Sequence, residues 1–140
     1  REQMLRALAL SDLIAIHLKS GIGRLSAYCG AVCAATGAGC AMTYLDGGTL
    51  EQIDQTITNS IATSSGMVCD GAKPSCAAKI ATAVEAGIFG YNMYIRGQEF
   101  YGGDGIVAKG IETSLKNVGR LGKEGMKETN EEIIKIMIEG

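Results

Sequence analysis

A chain of 140 residues has room for one packed core and too little length for two independent ones. Its 13 Lys and Arg against 15 Asp and Glu leave a net charge of −2, which excludes the concentrated positive face that a nucleic-acid surface requires. Five cysteines, a single histidine and no signal peptide predict a reducing, cytoplasmic setting, and a start at Arg1 predicts a fragment or a processed chain.

Residues 2–18 carry Met4, Leu5, Leu8, Leu13 and Ile16 at helical spacings and predict a first helix, ended by Ser20-Gly21-Ile22-Gly23. His17, among Leu13, Ile14, Ile16 and Leu18, reads as a core or boundary histidine. A second helix is expected from about Ser26 to Leu45. The stretch Leu25 to Leu45 has no charge and meets the length criterion for a membrane span. Its Ala, Gly, Cys, Ser and Thr would gain little in lipid, so it predicts a buried helix packed closely through small residues and no membrane partner.

Gly47-Gly48 stops that helix, and Thr49 with Gln52 three residues on has the form of a capping box opening a third. The third helix should bury Leu50, Ile53, Ile57 and Ile61 along one stripe, before Ser64-Ser65-Gly66 breaks the chain. Pro74 suits the first turn of a fourth helix running to about Tyr94, because its missing N–H would be unpaired there in any case. A turn at Gly102-Gly103-Asp104-Gly105 precedes a fifth helix through about Leu121. Asp104 reads as a turn aspartate, since no complete glycine-rich phosphate loop surrounds it. Thr129 with Glu132 predicts a second capping box and a short last helix through Ile133-Ile134-Lys135-Ile136-Met137-Ile138, whose β-branched content leaves a strand as the alternative. Lys109, Lys116, Arg120, Lys123 and Lys127 are interleaved with Glu112, Glu124, Glu128, Glu131 and Glu132, the pattern of a solvated helical face. The fold class is all-α, a single compact bundle of about five or six helices.

Chemistry concentrates in the stretch from Met67 to Cys76, where Cys69 and Cys76 bracket a loop containing Gly71 and Pro74. In a regular second helix Cys29, Cys33 and Cys40 would share one face within about 40°, with Cys40 roughly 16 Å along the axis from Cys29. One centre could therefore reach Cys29, and Cys33 at a stretch, but hardly Cys40. Cys76 would fall in the first turn of the fourth helix, where unpaired N–H groups and the macrodipole favour the negative charge that a metal-binding thiolate carries. Lys73 adds a positive charge nearby, and the loop can fold back to bring Cys69 to the same centre. Burial as small hydrophobes is the competing reading, strongest for Cys33 and Cys40. Local spacing does not select the metal: a two- to four-residue gap is commoner for zinc, and three thiolates from separated segments suit an iron–sulfur centre somewhat better.

Gly23-Arg24-Leu25-Ser26-Ala27-Tyr28-Cys29-Gly30, the run from Ser65 to Cys76, and Gly103-Asp104-Gly105-Ile106-Val107 resemble the C-terminal part of the serine dehydratase-like alpha-chain family, with the L-cysteine desulfidase group as the most similar branch. The resemblance covers essentially all 140 residues. It implies that residues 1–140 are a C-terminal iron–sulfur-binding domain that works with an N-terminal part of the same protein. It further implies a [4Fe-4S] cluster held by Cys29, Cys69 and Cys76, with Cys33 and Cys40 outside that set. The implied activity is β-elimination from a small amino acid, L-cysteine or L-serine, giving pyruvate and ammonia with sulfide or water. Asp70 and Lys73 are the substrate-binding candidates, with Asn59, Ser64 and Ser65 bordering the same pocket. A non-catalytic regulatory or oligomerisation domain with buried cysteines is the competing function. A homo-oligomer is compatible with the sequence, which does not fix the oligomeric state.

Overall fold

The structure is a computed structural model that describes residues 1–140. Helix α1 (Glu2–Ile22) ends where Gly23 takes φ 94°, a conformation that costs glycine little. Helix α2 (Gly30–Leu45) is followed by Gly47 at φ 78°. Helix α3 (Leu50–Ser64) opens with the complete reciprocal capping box of Thr49 and Gln52. Helix α4 (Ser75–Ile95) starts directly after Pro74, whose φ of −54° is already helical. Helix α5 (Ile111–Arg120) runs into a π-helical turn (Leu121–Gly125), and α6 (Lys127–Glu139) closes the chain. No strand forms; one isolated antiparallel bridge joins Tyr28 to Val68. No helix is long and apolar enough to cross a membrane.

Helix α2 is the centre of the bundle, packed by α1, α3 and α4. Its neighbours come close because the contact points lack side chains. A Cβ on Gly39 would stand 2.9 Å from the Gly87 carbonyl oxygen of α4, and one on Gly87 would stand 2.7 Å from the Ala35 carbonyl oxygen. A Cβ on Gly37 would collide with the Ser11 carbonyl of α1. Against α3 the contact is polar yet fully buried. Thr36 pairs with Ser60 at 2.9 Å, and the Thr43 and Thr56 hydroxyls stand 3.1 Å apart, each also within hydrogen-bond reach of a carbonyl one turn back in its own helix. Hydroxyls can be buried at such a surface because each finds a partner. Leu18, Ile22, Tyr28, Val32, Ile57, Ile61 and Val118 fill the core beneath α2.

Four sequence expectations change. The stretch 26–29 is not helical: the Ser26 hydroxyl donates to the Gly122 carbonyl and accepts the Tyr28 N–H, and Tyr28 is then drawn into its bridge with Val68. Local side-chain bonding of this kind competes with helix formation. In α1, whose facing the spacings left open, the stripe Met4, Leu5, Leu8, Leu13 and Ile16 faces outward, and Ala7, Leu18 and Ile22 face inward. The inner face must be small where α2 approaches at Gly37, so the large side chains lie on the other side. Leu50 likewise stands exposed. Thr129 and Glu132 form no capping box, because α6 already begins at Lys127 after an uncapped Met126. The β-branched run is the expected helix and not the alternative strand, and α6 buries no residue of its own. His17 is exposed rather than in the core, with Nε2 3.1 Å from the Glu112 carboxylate of α5.

Candidate functional site

The bridge between Tyr28 and Val68 organises the cysteines. Cys29 N–H donates to the Met67 carbonyl at 3.1 Å and Cys69 N–H donates to the Ala27 carbonyl at 2.6 Å, so segments 27–29 and 67–69 run antiparallel. In that register Cys29 lies opposite Met67 and Cys69 opposite Ala27. All four side chains leave from the same face, and Cys29 and Cys69 are diagonal neighbours at about 7–8 Å between backbones. Cys29 is also the N-cap of α2, extended at φ −66°, ψ 123°, and is not a member of a regular helix with Cys33 and Cys40. The shared helical face expected of those three therefore does not form.

Cys76 is the second residue of α4, and its N–H donates to the Lys73 carbonyl at 2.8 Å. Two of the three candidate thiols thus leave from helix N-termini, and the third from the strand-like arm between them. All five cysteines are free thiols; Cys69 is exposed, Cys76 half-buried, and Cys29, Cys33 and Cys40 buried. Burial pushes the Cys33 thiol up to about 11 despite the Lys19 ammonium, and the Cys40 thiol up to about 12. Cys40 lies deepest, with only a long contact of 3.9 Å to the Ile53 carbonyl. No three His, Cys, Asp or Glu side chains stand close enough together to enclose a single metal ion.

One residue that the sequence did not single out stands at the middle of the site. Lys79, one turn after Cys76 on α4, donates through Nζ to the Val68 carbonyl at 3.1 Å and to the Asp70 carboxylate. The hydrogen bond to Lys79 holds the Asp70 carboxyl below the usual carboxylate range, and the same bond raises the Lys79 ammonium. Cys29 and Cys69 are both near enough to add to the rise at Lys79. The signal in sequence was only a lysine three residues beyond a cysteine, and nothing local gives it meaning. Tyr28, buried beside Cys29 and Cys33, has a hydroxyl with no hydrogen-bond partner.

Asp70 is therefore engaged by Lys79, while Lys73 stands exposed in the loop. Ser64 borders an open cleft of about 460 Å³ between α3 and α4, lined also by Thr63, Met67, Thr82, Glu85 and Phe89, and this cleft adjoins the cysteine loop through Gly66 and Met67. Ser65 lines a different recess, beside Asp104 and Ile106. Asn59 borders neither: it is wholly buried, its amide donating to the Gly90 carbonyl at 3.0 Å and accepting the Phe100 N–H at 3.0 Å. Asp104 is a turn aspartate, accepting the Tyr101 N–H at 2.7 Å.

A family model described as the serine dehydratase alpha chain matches residues 1–135. Among curated proteins, a UPF0597 protein of Desulfitobacterium hafniense is 62% identical over 137 residues, 98% of this chain and 32% of that protein. One from Lachnoclostridium phytofermentans is 59% identical, over 98% of this chain and 33% of its own length, and one from Treponema denticola is 47% identical over 98% and 32%. The chain thus spans about a third of the length of the curated relatives it matches. No solved structure matches it significantly.

Proposed function

The chain belongs to the serine dehydratase alpha chain family, and from that premise we propose that it is the cluster-binding part of an iron–sulfur lyase that eliminates the β-substituent of a small amino acid. The observation that carries the reading is the register of the Tyr28–Val68 bridge, which turns Cys29 and Cys69 to one face next to the helix that has Cys76 in its first turn. The donor set suits an iron–sulfur centre: three free thiols from three separate segments, with Cys69 open to solvent. In this reading Cys29, Cys69 and Cys76 hold a [4Fe-4S] cluster, and Cys33 and Cys40 serve packing.

A cluster bound there would supply Lewis acidity toward the leaving group of L-cysteine or L-serine. Loss of the α-proton and of sulfide or water leaves an enamine, whose imine tautomer takes up water to give pyruvate and ammonia. This chain's own residues shape the site around that chemistry. Lys73, exposed in the loop, is the candidate for the substrate carboxylate, and Asp70 reaches substrate only from the position in which Lys79 holds it. The cleft beside Gly66 and Met67 has the volume to admit a small amino acid. The group that removes the α-proton is assigned to the remainder of a longer protein, in keeping with relatives three times this length.

Anaerobic reconstitution with iron and sulfide should give visible charge-transfer absorbance that is lost in Cys29→Ser, Cys69→Ser and Cys76→Ser and retained in Cys40→Ala. Unchanged spectra in the first three variants would sink the cluster assignment, and colourless, stoichiometric zinc would replace it with a zinc site. Turnover of L-cysteine by the 140-residue chain alone would remove the claim that it needs a further part.

A further inference from the structure

We propose that Lys79 is the positioning residue that sets the separation of Cys69 and Cys76. Its two bonds go to the residues on either side of Cys69: Nζ donates to the Val68 carbonyl at 3.1 Å and to the Asp70 carboxylate. Its backbone belongs to the helix that carries Cys76, one turn earlier. A single side chain thus ties the arm bearing one thiol to the helix bearing the other.

The need for such a tie follows from what else holds the arm. Beyond the bridge at Val68, the residues from Asp70 to Lys73 donate no backbone hydrogen bond, and the next such bond is that of Cys76 to Lys73. Gly71, at φ 91°, turns the chain between the two. Without Lys79 the arm would be fixed to segment 27–29 but free to move relative to α4. The ammonium is partly shielded, with 22% of the side chain exposed, and a carbonyl and a carboxylate both accept from it. A charge-assisted bond in such a setting is stronger than a neutral one and defines direction as well as distance. Lysine suits the task because its ammonium has three donors on a flexible stem and two of them are used here.

The consequence for metal binding rests on the reading of Cys69 and Cys76 as a shared ligand pair, whereas the tie itself does not. The test therefore begins without metal. The metal-free chain is treated with dibromobimane, a reagent with two thiol-reactive arms, and the products are separated by mass into chains bridged between Cys69 and Cys76 and chains capped singly. In Lys79→Met the bridged share should fall by roughly fivefold, the loss in effective concentration when one thiol is released from a fixed span. Lys79→Arg, which keeps charge and donors, should recover most of it. Asp70→Asn, which weakens one of the two bonds, should lie between, and it keeps the test open if Lys79→Met fails to fold.

Equal bridging in the parent, Lys79→Met and Asp70→Asn would overturn the proposal. So would the absence of bridging in the parent, because the two thiols would then not be held within one reagent's reach. Iron uptake is measured next in the same variants. A failure of the parent to take up iron counts against the cluster and leaves the bridging result standing; normal uptake by Lys79→Met, with reduced bridging, would show that the clamp does not serve metal binding.

Discussion

At the crossing of α2 and α4 two backbones meet through Gly39 and Gly87, with no room for a single added carbon. The arm from Val68 to Gly71 is held by one bridge and one lysine, with the Met137 side chain beside Gly71. The first region is specified by exclusion and the second by tethers. The crossing should therefore tolerate no added side chain, whereas the arm should tolerate the loss of no partner. A scaffold of the first kind resists deformation; an arm of the second kind can adjust to a ligand while keeping its address.

The largest effect is expected at the crossing. Gly87→Val should cost on the order of 3 kcal/mol and lower the Tm by roughly 10 °C, since the new atoms overlap the Ala35 carbonyl. Gly30→Ala, in the same helix as Gly39 but with nothing within 4 Å of the added carbon, should be neutral or stabilise by up to about 1 kcal/mol. Similar melting temperatures for these two variants would break the contrast. Asn59→Ala, which strips partners from the Gly90 carbonyl and the Phe100 N–H inside the scaffold, should cost about 2 kcal/mol by denaturant titration.

Alkylation of the metal-free native chain with iodoacetamide at pH 8 should label Cys69 and Cys76 first. Cys33 and Cys40, buried and held near 11 and 12, should react only on unfolding. Early labelling of Cys40 would mean that the scaffold opens as readily as the arm. The smallest effect is the acid response of the tether. The Asp70 carboxyl lies below its ordinary range, so its pairing with Lys79 is fully present above the ordinary aspartate value of about 3.9 and is lost as pH falls through the lower folded-state value. The Lys79 side-chain resonances, followed by NMR through an acid titration of the metal-free chain, should shift at the same limit in the parent and not in Asp70→Asn. An identical profile in both would assign the transition to another group.

Much of the scaffold was legible because its signals are local. Thr49 with Gln52, Pro74 ahead of α4, and the glycine breaks at Gly23 and Gly47 each act within a few residues, and each appears where expected. The small-residue character of α2 foretold its burial, since Gly and Ala in number suit close approach between helices. The spacings in α1 signalled a helix but not its facing: the inner face had to be small to meet Gly37, and the large apolar residues turn outward. The cysteine loop was legible as a place, but not as a geometry. The pairing of segments 27–29 and 67–69 joins residues 40 apart, and Ser26 bonding to Gly122 joins residues 96 apart. No local pattern encodes either. Lys79 was missed for the same reason: its partners Val68 and Asp70 lie 11 and 9 residues away, across a turn.

The backbone contact of Gly39 with Gly87 also fixes the angle at which α2 and α4 cross. Cys29 precedes Gly39 by ten residues and Cys76 precedes Gly87 by eleven, so the two thiols sit at the ends of lever arms of about 15 and 16 Å measured from one fulcrum. A difference of about 10° in the angle at which the helices cross would displace one thiol relative to the other by roughly 3 Å. Substitutions at the fulcrum would then be read out at the far tips, and the gap between Cys29 and Cys76 becomes a gauge of how α2 and α4 are set against each other.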